Sequence, residues 1–523
     1  MSDRRSAAQD PAPGFPLRIG VVDMGSNAIR IVVAEFIAPF TWTALLSERI
    51  PVRLADRAGA TGNLPEDAIE AAVAVMERFR DVLEEHEVGS YRAVATSAVR
   101  ESRNRRSLVR RVRDRTGLEL EPISGAEEAR LVYWAARSRI PLGTGPWLMA
   151  DLGGGSLEIA IVDHASMRLV ESLGIGSVRL LEEFESESGG PSRIRDLLDE
   201  YVAGLRFGTL EDSFEVEGYI ATGGNIDDLA RLAGASPDEE GVSVISLEDL
   251  RKTIAVLDRL TVEQRIEELG LRENRADVIL PAALVYARLA ERFGTERIHV
   301  PNVGVKEGVM IDLVEGLTAP GGYSLRHAGD VLAGAVALGR RFRFEEAHGV
   351  QVAHLAEQLF NDLSEIHGLS SDDREILVAA AILHDVGQRI SYKRHHKHSY
   401  YLIAESELPG LDLDGVELAA NVARYHRRAD PHPKHLPFEA LDEEDRNRVT
   451  RMASILRLAD ALDREHMQKV QDVTAQIRDG RVVLSLQGEG DLALEIWALD
   501  RKKPLFEKTF DLEVGVEGED GGP

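Results

Sequence analysis

The segment DMGSNAIR at residues 23–30 decides the fold, because it separates two apolar, β-branched runs, LRIGVV (17–22) and IVVAEFI (31–37). Such runs favour strands, and a short polar segment with a glycine between them predicts a tight turn. A second copy, DLGGGSLE (151–158), lies between the runs WLMA and IAIVD. The repetition predicts a duplicated fold with two similar glycine turns on facing lobes.

Strand and helix patterns alternate around these two segments. Residues 65–86 have helical spacing and begin with a proline, whereas residues 91–100 (YRAVATSAVR) favour a strand that ends in a polar loop. A third glycine turn lies in EGYIATGGNIDDLA (217–230), after a short strand and before a helix. This alternation predicts an α/β fold.

The pattern changes in the last third of the chain. Helical spacing dominates from about residue 328, in segments such as 345–368, 373–387 and 446–466, which predicts a separate all-α domain. After about residue 470 a period-two pattern with a DG turn predicts a small β appendage. Proline and glycine in LVEGLTAPGGYS predict a linker before the helical domain.

Composition limits the function classes. The chain has 523 residues and no cysteine, which excludes disulfides, thiolate metal sites and cysteine nucleophiles. The N-terminal residues carry charge and proline without an apolar signal region, so we expect a soluble, cytoplasmic protein with a disordered leader. The net charge of −27 repels nucleic acid unless basic residues cluster locally.

The densest basic segment, RESRNRRSLVRRVRDR, covers residues 100–115. One interpretation is a contact surface for a polyanion. The other is a solvated amphipathic helix with Leu108, Val109 and Val112 facing inward.

The two glycine turns carry the chemistry of a phosphate site. Glycine lets the backbone approach a ligand, and successive N–H groups in such a turn can bind phosphate oxygens. Asp23 could hold Mg²⁺ through water. The candidate residues of the two turns are Asp23, Gly25, Ser26, Asn27, Asp151, Gly153, Gly154, Gly155, Ser156 and Glu158.

Several motifs occur together in a familiar order. DMGSNAIR, ATSAVRES, SGAEEARL, DLGGGSLE, ATGGNIDDLA and VGVKEGVM make residues 17–315 similar to the exopolyphosphatase and guanosine pentaphosphate phosphohydrolase (Ppx/GppA) family. The resemblance implies two actin-like, RNase-H-like lobes (the ASKHA superfamily) with the active site between them. It also implies a homodimer and Mg²⁺ in the cleft.

The resemblance assigns roles to individual residues. The second glutamate of SGAEEARL, Glu128, becomes the catalytic base that activates the attacking water. Asp23, Asp151 and Glu158 would position Mg²⁺ or water. Phosphate binding would involve Ser97, Arg100, Arg30, Gly223, Gly224 and Lys306 besides the turn residues. A surface ion pair is the alternative for Arg30 and Arg100. The sequence departs from the family pattern at Asn225 and Lys306, where threonine and arginine are common, and lysine loses the planar guanidinium fork.

The helical domain contains an ordered set of histidines and aspartates that resembles the HD phosphohydrolase pattern. Imidazole and carboxylate ligands suit Mn²⁺, Fe²⁺ or Zn²⁺. The resemblance implies a metal site, although relatives can keep such a domain as a scaffold. The implied ligands are His348, His384, Asp385, His398, His426 and Asp460.

The resemblance implies a hydrolase that removes terminal phosphates from linear polyphosphate. A guanosine pentaphosphate phosphohydrolase and a non-catalytic nucleotide- or polyphosphate-binding regulator are the alternatives, and no nucleic acid or membrane partner is expected. The predicted division is a leader (1–16), lobe I (17–137), lobe II (138–316), an HD domain (325–470), a β appendage (471–515) and a disordered tail (516–523).

Overall fold

The computed structural model describes residues 14–52, 54, 62–177, 180, 181, 200, 216–318, 322–427, 429–478 and 480–517. Its described residues form two compact units, one up to Arg326 and one from His327 onward. Most of the predicted leader and tail, and residues 319–321 of the predicted linker, lie outside the described residues.

The first sheet of unit one has five strands in the order β3-β2-β1-β4-β5. The first three strands form an antiparallel meander, and β4 and β5 run parallel to β1. The apolar runs on both sides of residues 23–30 become β1 and β2, as predicted. The strands are β1 (Leu17–Met24), β2 (Ala28–Ala38), β3 (Thr41–Pro51), β4 (Ser90–Ala95) and β5 (Leu120–Pro122).

The second sheet repeats this topology in the order β10-β11-β9-β6-β7-β8. Strands β6, β7 and β8 again form an antiparallel meander. Strands β9 and β11 run parallel to β6, and β10 adds an antiparallel edge. The duplicated sheet confirms the predicted pair of actin-like lobes. The strands are β6 (Trp147–Leu152), β7 (Leu157–Val162), β8 (Met167–Leu173), β9 (Gly218–Thr222), β10 (Ser243–Ser246) and β11 (Arg297–Val300).

Helices cover the sheets, and apolar residues of helices and strands together form the cores. Helix α10, which follows the second sheet, packs on β1 and on α4, so the chain returns to the first lobe at this point. A short helix, α2, stands where the sequence predicted a loop. The helices of unit one are α1 (Glu66–Glu85), α2 (Ser97–Arg100), α3 (Arg105–Thr116), α4 (Gly125–Arg137), α5 (Ile226–Leu232), α6 (Leu247–Leu257), α7 (Val262–Leu269), α8 (Glu273–Ala276), α9 (Ile279–Arg292) and α10 (Val305–Thr318).

Unit two is helical, as predicted, and its helices surround one apolar core. No helix within the described ranges is long and apolar enough to cross a membrane. The helices are α11 (Gly322–Arg341), α12 (Glu346–Asp362), α13 (Ser364–His367), α14 (Ser371–Leu383), α15 (His395–Ala404), α16 (Leu413–Arg424), α17 (Leu436–Glu439), α18 (Glu443–Leu462), α19 (Ala493–Lys502) and α20 (Pro504–Phe510).

The C-terminal part contains the predicted small sheet, formed by β12 (Val470–Arg478), β13 (Arg481–Gly488) and β14 (Glu513–Val516). The strand prediction for residues 493–510 is wrong, since α19 and α20 occupy them. The buried residues of α19, Glu495, Ala498 and Leu499, have i, i+3, i+4 spacing, which places them on one face of a helix.

Candidate functional site

A cavity of about 590 Å³ in unit one is lined by residues of both lobes. The β1–β2 turn and the β6–β7 turn both reach it. In each turn the glycine after the aspartate donates its N–H to the residue three positions later, from Gly25 to Ala28 at 3.1 Å and from Gly153 to Ser156 at 3.0 Å. The duplicated sequence therefore folds into two equivalent turns that face one cavity.

The second turn approaches the first turn and the start of α2 closely. Ser26 Oγ lies 2.7 Å from Ser97 Oγ, which joins the first turn to the start of α2. A Cβ atom on Gly155 would lie 2.6 Å from Ser97 Oγ and 3.1 Å from Ser26 Oγ. Glycine at position 155 is thus required for the close approach of the two turns.

Glu128 lies in the first turn of α4, whose N-terminus is capped by Ser124 Oγ. Its side chain is buried, lines the cavity, and accepts a hydrogen bond from Arg100 at 3.0 Å. Burial raises the pKa of Glu128 to about 7; Arg100 opposes this shift, and the charges of Asp151 and Asp23 add to it. A carboxylate with a pKa near neutrality, facing a polar cavity, suits a general base.

The neighbouring Glu127 has a different environment. It accepts hydrogen bonds from Arg130 at 2.6 and 2.9 Å and from Arg92 at 3.2 Å, and both arginines also bind Asp312. This buried network fixes α4 to β4 and α10. Geometry therefore distinguishes the two glutamates, with Glu127 in the structural network and Glu128 at the cavity.

Two further carboxylates frame the same end of the cavity. Asp151 accepts a hydrogen bond from Thr222 at 2.8 Å, and Asp23 accepts one from Arg30 at 2.8 Å. Burial, reinforced by the charge of Asp23, raises the pKa of Asp151 to about 6, whereas Thr222 opposes the shift.

Behind this pair lies Glu158, which is fully buried and whose Oε2 has no hydrogen-bond partner among the described residues. Oxygen atoms of Glu128, Asp151 and Glu158 lie within 4.8 Å of one another. A hard divalent cation such as Mg²⁺ fits this excess of carboxylate charge.

The structure brings most of the predicted cleft residues to the cavity wall. Arg100, Gly155 and Glu158 do not line the cavity, because Arg100 and Glu158 lie behind Glu128 in contact with each other at 3.4 Å. Arg100 therefore forms ion pairs with two carboxylates, as the alternative interpretation expected. These ion pairs are buried and do not lie on the surface. The predicted residues that line the cavity are Asp23, Gly25, Ser26, Asn27, Arg30, Ser97, Glu128, Asp151, Gly153, Gly154, Ser156, Gly223, Gly224 and Lys306.

Sequence reasoning missed several polar residues of this wall. Arg49, Arg272 and Arg275 line the cavity but lie outside the recognised motifs. Thr222, which holds Asp151, and Ser177, which donates to the Gly153 carbonyl at 3.2 Å, were also not predicted. Thr222 could have been found, because it belongs to the ATGG segment.

The basic segment forms helix α3 with Leu108 and Val112 buried and Val109 half-buried. Arg111 binds Glu66 and Glu70 on α1, and Arg115 binds Glu70 and Glu77. These contacts favour the interpretation of the segment as a solvated, ion-paired helix.

Unit two holds a second cluster, formed by five histidines and two aspartates, in which His466 lies near His348 and Asp385. His348, His384 and Asp460 make one group, and Asp385, His395 and His426 make another. Asp385 reaches both groups, since Oδ1 lies 2.9 Å from His395 Nε2 and Oδ2 lies 3.8 Å from His384 Nε2. This carboxylate therefore lies between the two groups of possible metal ligands.

The histidine rings of the cluster are held from behind. The Nδ1 atoms of His384 and His426 contact the carbonyl oxygens of Ala381 and Ala423 at 2.7 and 2.6 Å. Similarly, His348 Nδ1 lies 2.8 Å from Asp463. These contacts leave Nε2 directed into the cluster, and burial lowers the pKa of His384 and His426, which keeps their rings neutral as metal ligands must be.

The assignment of His398 to this cluster is wrong. The buried face of α15 carries His395, Ser399 and Ile403 at i, i+4, i+8 spacing, so the first residue of the helix faces inward and His398 lies off that face. His395 Nε2 stands 3.1 Å from His426 Nε2 in the position expected for His398. Lys502 of α19, also not predicted, contacts Asp460.

Comparison with known proteins connects both units to one family. Residues 32–316 match the model of the Ppx/GppA phosphatase family, and residues 333–502 match Ppx/GppA phosphatase domain III. The chain is 30% identical over 302 residues to Exopolyphosphatase 1 of Mycobacterium tuberculosis (strain ATCC 25618 / H37Rv), covering 56% of this chain and 88% of the relative. Exopolyphosphatase 1 of Mycobacterium leprae (strain TN) is 28% identical over 56% of this chain and 89% of its own.

Solved structures agree with the sequence matches. The crystal structure of the Aquifex aeolicus member of the Ppx/GppA family has a TM-score of 0.52 at 25% identity and covers 58% of this chain and 99% of its own. An exopolyphosphatase from Cytophaga hutchinsonii ATCC 33406 has a TM-score of 0.52 at 26% identity and covers 57% and 98%. With its duplicated glycine turns, its buried Glu128 and these matches, the chain belongs to the Ppx/GppA phosphatase family.

Proposed function

We propose that this chain is an exopolyphosphatase that hydrolyses the terminal phosphoanhydride bond of linear polyphosphate. The observation that carries the proposal is the position of Glu128, which faces a cavity between two phosphate-type glycine turns while burial raises its pKa to about 7. The names of the mycobacterial and Cytophaga relatives support the choice of substrate.

In the proposed reaction, the terminal phosphate lies against the backbone of the two turns, near Ser26 and Gly154. Glu128 accepts a proton from a water molecule as the water oxygen forms a bond to the terminal phosphorus. The bridging P–O bond breaks, and the shortened chain leaves with the electron pair as a phosphate oxygen. Arg100 holds the Glu128 carboxylate in place during this step.

Asp23 and Asp151 face the cavity and would hold Mg²⁺, with Glu158 behind them. When bound, the ion supplies positive charge that neutralises the phosphate oxygens as charge develops on them.

The test is release of orthophosphate from long-chain polyphosphate with Mg²⁺, compared with release from guanosine pentaphosphate. Stepwise loss of end phosphates, absent in Glu128→Gln, is the expected result. If only guanosine pentaphosphate is hydrolysed, the proposed substrate would be this nucleotide and not polyphosphate. Tight binding of either compound without turnover would favour a non-catalytic regulator.

A specific observation favours a second candidate function, metal binding by unit two. The two oxygens of Asp385 face two separate groups of possible ligands, which include Nε2 of His384 and His426, and burial lowers the pKa of both these histidines. We propose that this cluster binds two divalent ions such as Mn²⁺, Fe²⁺ or Zn²⁺, as the HD-type pattern implies, and supports a separate phosphohydrolase activity.

Elemental analysis of the purified full-length protein tests this second proposal. Metal in the wild type, and its loss in a His384→Ala, Asp385→Ala variant that keeps polyphosphatase activity, is the expected result. A metal-free wild type that gains no thermal stability from added Mn²⁺, Fe²⁺ or Zn²⁺ would overturn it.

A further inference from the structure

A lysine lies at the edge of the histidine and aspartate cluster of unit two. Lys502 is the last residue of α19, and its Nζ contacts Asp460 Oδ2. Helix α19 packs on α18, which carries Asp460. Lys502 follows the buried Glu495 by seven positions and the buried Leu499 by three, so it lies on the buried face of α19. The C-terminal segment therefore directs one ammonium group to a residue proposed as a metal ligand.

The two oxygens of Asp460 have different neighbours. Oδ1 lies 3.9 Å from His348 Nε2 and 3.8 Å from His384 Nε2, inside the first group of possible ligands. Oδ2 contacts the ammonium group of Lys502. An ion held by the two histidines and Oδ1 would therefore leave the contact with the lysine intact.

The ammonium group of Lys502 has donors to spare. A lysine carries three N–H donors. Within the described part of the chain, Asp460 is the one hydrogen-bond partner of Lys502 Nζ, which leaves two donors for a ligand. Burial lowers the pKa of His426, and the charges of His384 and Lys502 add to this effect. The charge of the ammonium group thus acts on both groups of possible metal ligands.

Only a small part of the cluster meets solvent. The side chains of Asp385, His466 and Lys502 are 21%, 26% and 18% exposed. In contrast, the side chains of the other possible ligands are at most 8% exposed. Solvent therefore reaches the cluster through a narrow opening beside these three side chains, and Lys502 lies at its rim.

The narrow opening and the lysine suit a terminal phosphate group. A phosphomonoester ends in three oxygens that carry a charge of about −1.5 to −2 near neutral pH. A phosphodiester has one terminal oxygen fewer, carries less charge, and continues on both sides of phosphorus. Such a group inside a chain fits a narrow opening less well than a group at the end of a molecule. Two divalent ions together with Lys502 would supply one positive centre for each terminal oxygen of a monoester.

We propose that Lys502 binds the terminal phosphate of a phosphomonoester at the cluster of unit two, and that this site prefers phosphomonoesters to phosphodiesters. The inference rests on the second proposed function, metal binding and phosphohydrolase activity by unit two, and specifies its substrate class. In the reaction, a water oxygen forms a bond to phosphorus and the P–O bond to the alcohol breaks. The alcohol oxygen leaves with the electron pair and takes up the proton that the water loses.

The alternative is a purely structural ion pair between Lys502 and Asp460. Removing one partner of a buried ion pair destabilises a protein. A structural pair would therefore influence the melting temperature or the metal content, but not the affinity of a metal-loaded protein for phosphate or its choice between two esters. These last two properties distinguish the two roles.

The experiment uses the full-length protein in the Glu128→Gln background, which lacks the proposed base of unit one. Lys502→Gln and Lys502→Arg are compared with this parent for metal content, for the Kd of orthophosphate, and for hydrolysis of 4-nitrophenyl phosphate and bis(4-nitrophenyl) phosphate. Lys503→Gln is the matched control, because this neighbouring lysine is 25% exposed and pairs with Asp500.

Orthophosphate can also bind in the cleft of unit one. The binding that remains in a variant carrying His384→Ala and Asp385→Ala is therefore subtracted. Elemental analysis gives the metal content, and calorimetric titration gives the Kd.

We expect Lys502→Gln to keep its metal while the Kd for orthophosphate and the KM for the monoester rise about tenfold or more, as for loss of a charge-assisted hydrogen bond. The parent should hydrolyse the monoester faster than the diester, and hydrolysis of the diester should fall less in Lys502→Gln. Lys502→Arg keeps the charge and should recover part of the loss, whereas Lys503→Gln should behave as the parent does.

A metal-loaded Lys502→Gln variant with an unchanged Kd for orthophosphate would overturn the inference, and so would loss of its metal, since either result reduces Lys502 to a structural partner of Asp460. A parent that hydrolyses the diester as fast as the monoester would overturn the proposed substrate class. A metal-free parent would instead overturn the second proposed function, and the inference would fall with it.

Discussion

The adjacent glutamates of α4 give the sharpest prediction, because the same substitution should have opposite consequences at the two positions. Glu128→Gln removes the proposed base and keeps its size. General-base catalysis contributes roughly a hundredfold to ten thousandfold, so we expect phosphate release to fall by at least about a hundredfold. Polyphosphate binding should stay within a few-fold, since the glycine turns that we propose as its binding site are unchanged.

The stability of the Glu128 variant follows from its pKa. Burial raises this pKa from an ordinary 4.5 to about 7, so the folded state binds the proton more tightly than the unfolded state. The resulting penalty is absent below pH 4.5 and fully present above pH 7. Its size is on the order of 3 kcal/mol. Without divalent ions at pH 8, Glu128→Gln should therefore raise the melting temperature of unit one.

Glu127→Gln should show the reverse pattern. It removes the charge that Arg130 and Arg92 share, with hydrogen bonds of 2.6 to 3.2 Å in a buried network. Breaking a buried ion pair costs about 3–5 kcal/mol, and the retained amide oxygen places this variant near the lower value. The melting temperature of the Glu127→Gln variant should fall by several degrees. At temperatures where the variant is folded, it should keep most of the wild-type kcat.

Calorimetry in EDTA measures the melting temperature of both variants, and a phosphate-release assay measures their turnover. Together these measurements test the roles assigned to Glu127 and Glu128. A Glu127 variant that is stable but inactive, or a Glu128 variant that retains more than about a tenth of wild-type turnover, would refute the assignment of roles.

Three further predictions follow from the two sites. In unit two, His395→Ala should lower the bound metal content measured by elemental analysis, whereas His398→Ala should not; equal losses would contradict the corrected ligand set. Gly224→Ala should weaken polyphosphate binding, because the new Cβ would lie 2.0 Å from Arg275 Nη2 and would displace this guanidinium group. An unchanged Kd would show that the position of Arg275 does not matter for binding. Neutralising Arg105, Arg106, Arg110 and Arg111 together should leave the KM for polyphosphate within a few-fold of the wild-type value, because Arg111 is already paired with α1 glutamates; a larger rise in KM would restore α3 as a polyanion surface.

The sequence predicted those parts of the molecule that depend on local patterns. Glycine turns between apolar strands could be found twice because turn geometry is encoded within a few residues, and the second copy gave the duplicated topology. The choice of Glu128 over Glu127 came from family resemblance. Its physical basis, the network through Arg92 and Asp312, joins residues far apart in the chain and has no local pattern.

Two predictions from sequence patterns were wrong, for the histidine ligand on α15 and for the strand at residues 493–510. At the start of α15, HHKHS offers several histidines within one helical turn, and only the position of the helix start decides which ring faces inward. For residues 493–510 the strand prediction extended the period-two pattern of the preceding strands, but burial at i, i+3, i+4 in α19 shows that this segment packs as a helix.

The arginines that line the cleft also resolve an apparent conflict between the net charge of the chain and its proposed substrate. A chain with a net charge of −27 repels an approaching polyanion, although salt screens this repulsion at distances beyond the Debye length, about 8 Å in physiological salt. Inside the cleft the nearest charges dominate, and Arg30, Arg49, Arg272 and Arg275 come from both lobes to one cavity. Since surface repulsion slows the encounter and local attraction slows departure, adding salt should speed association while weakening equilibrium binding. That combination distinguishes a focused basic subsite on an acidic protein from a uniformly basic surface, where salt slows association as well.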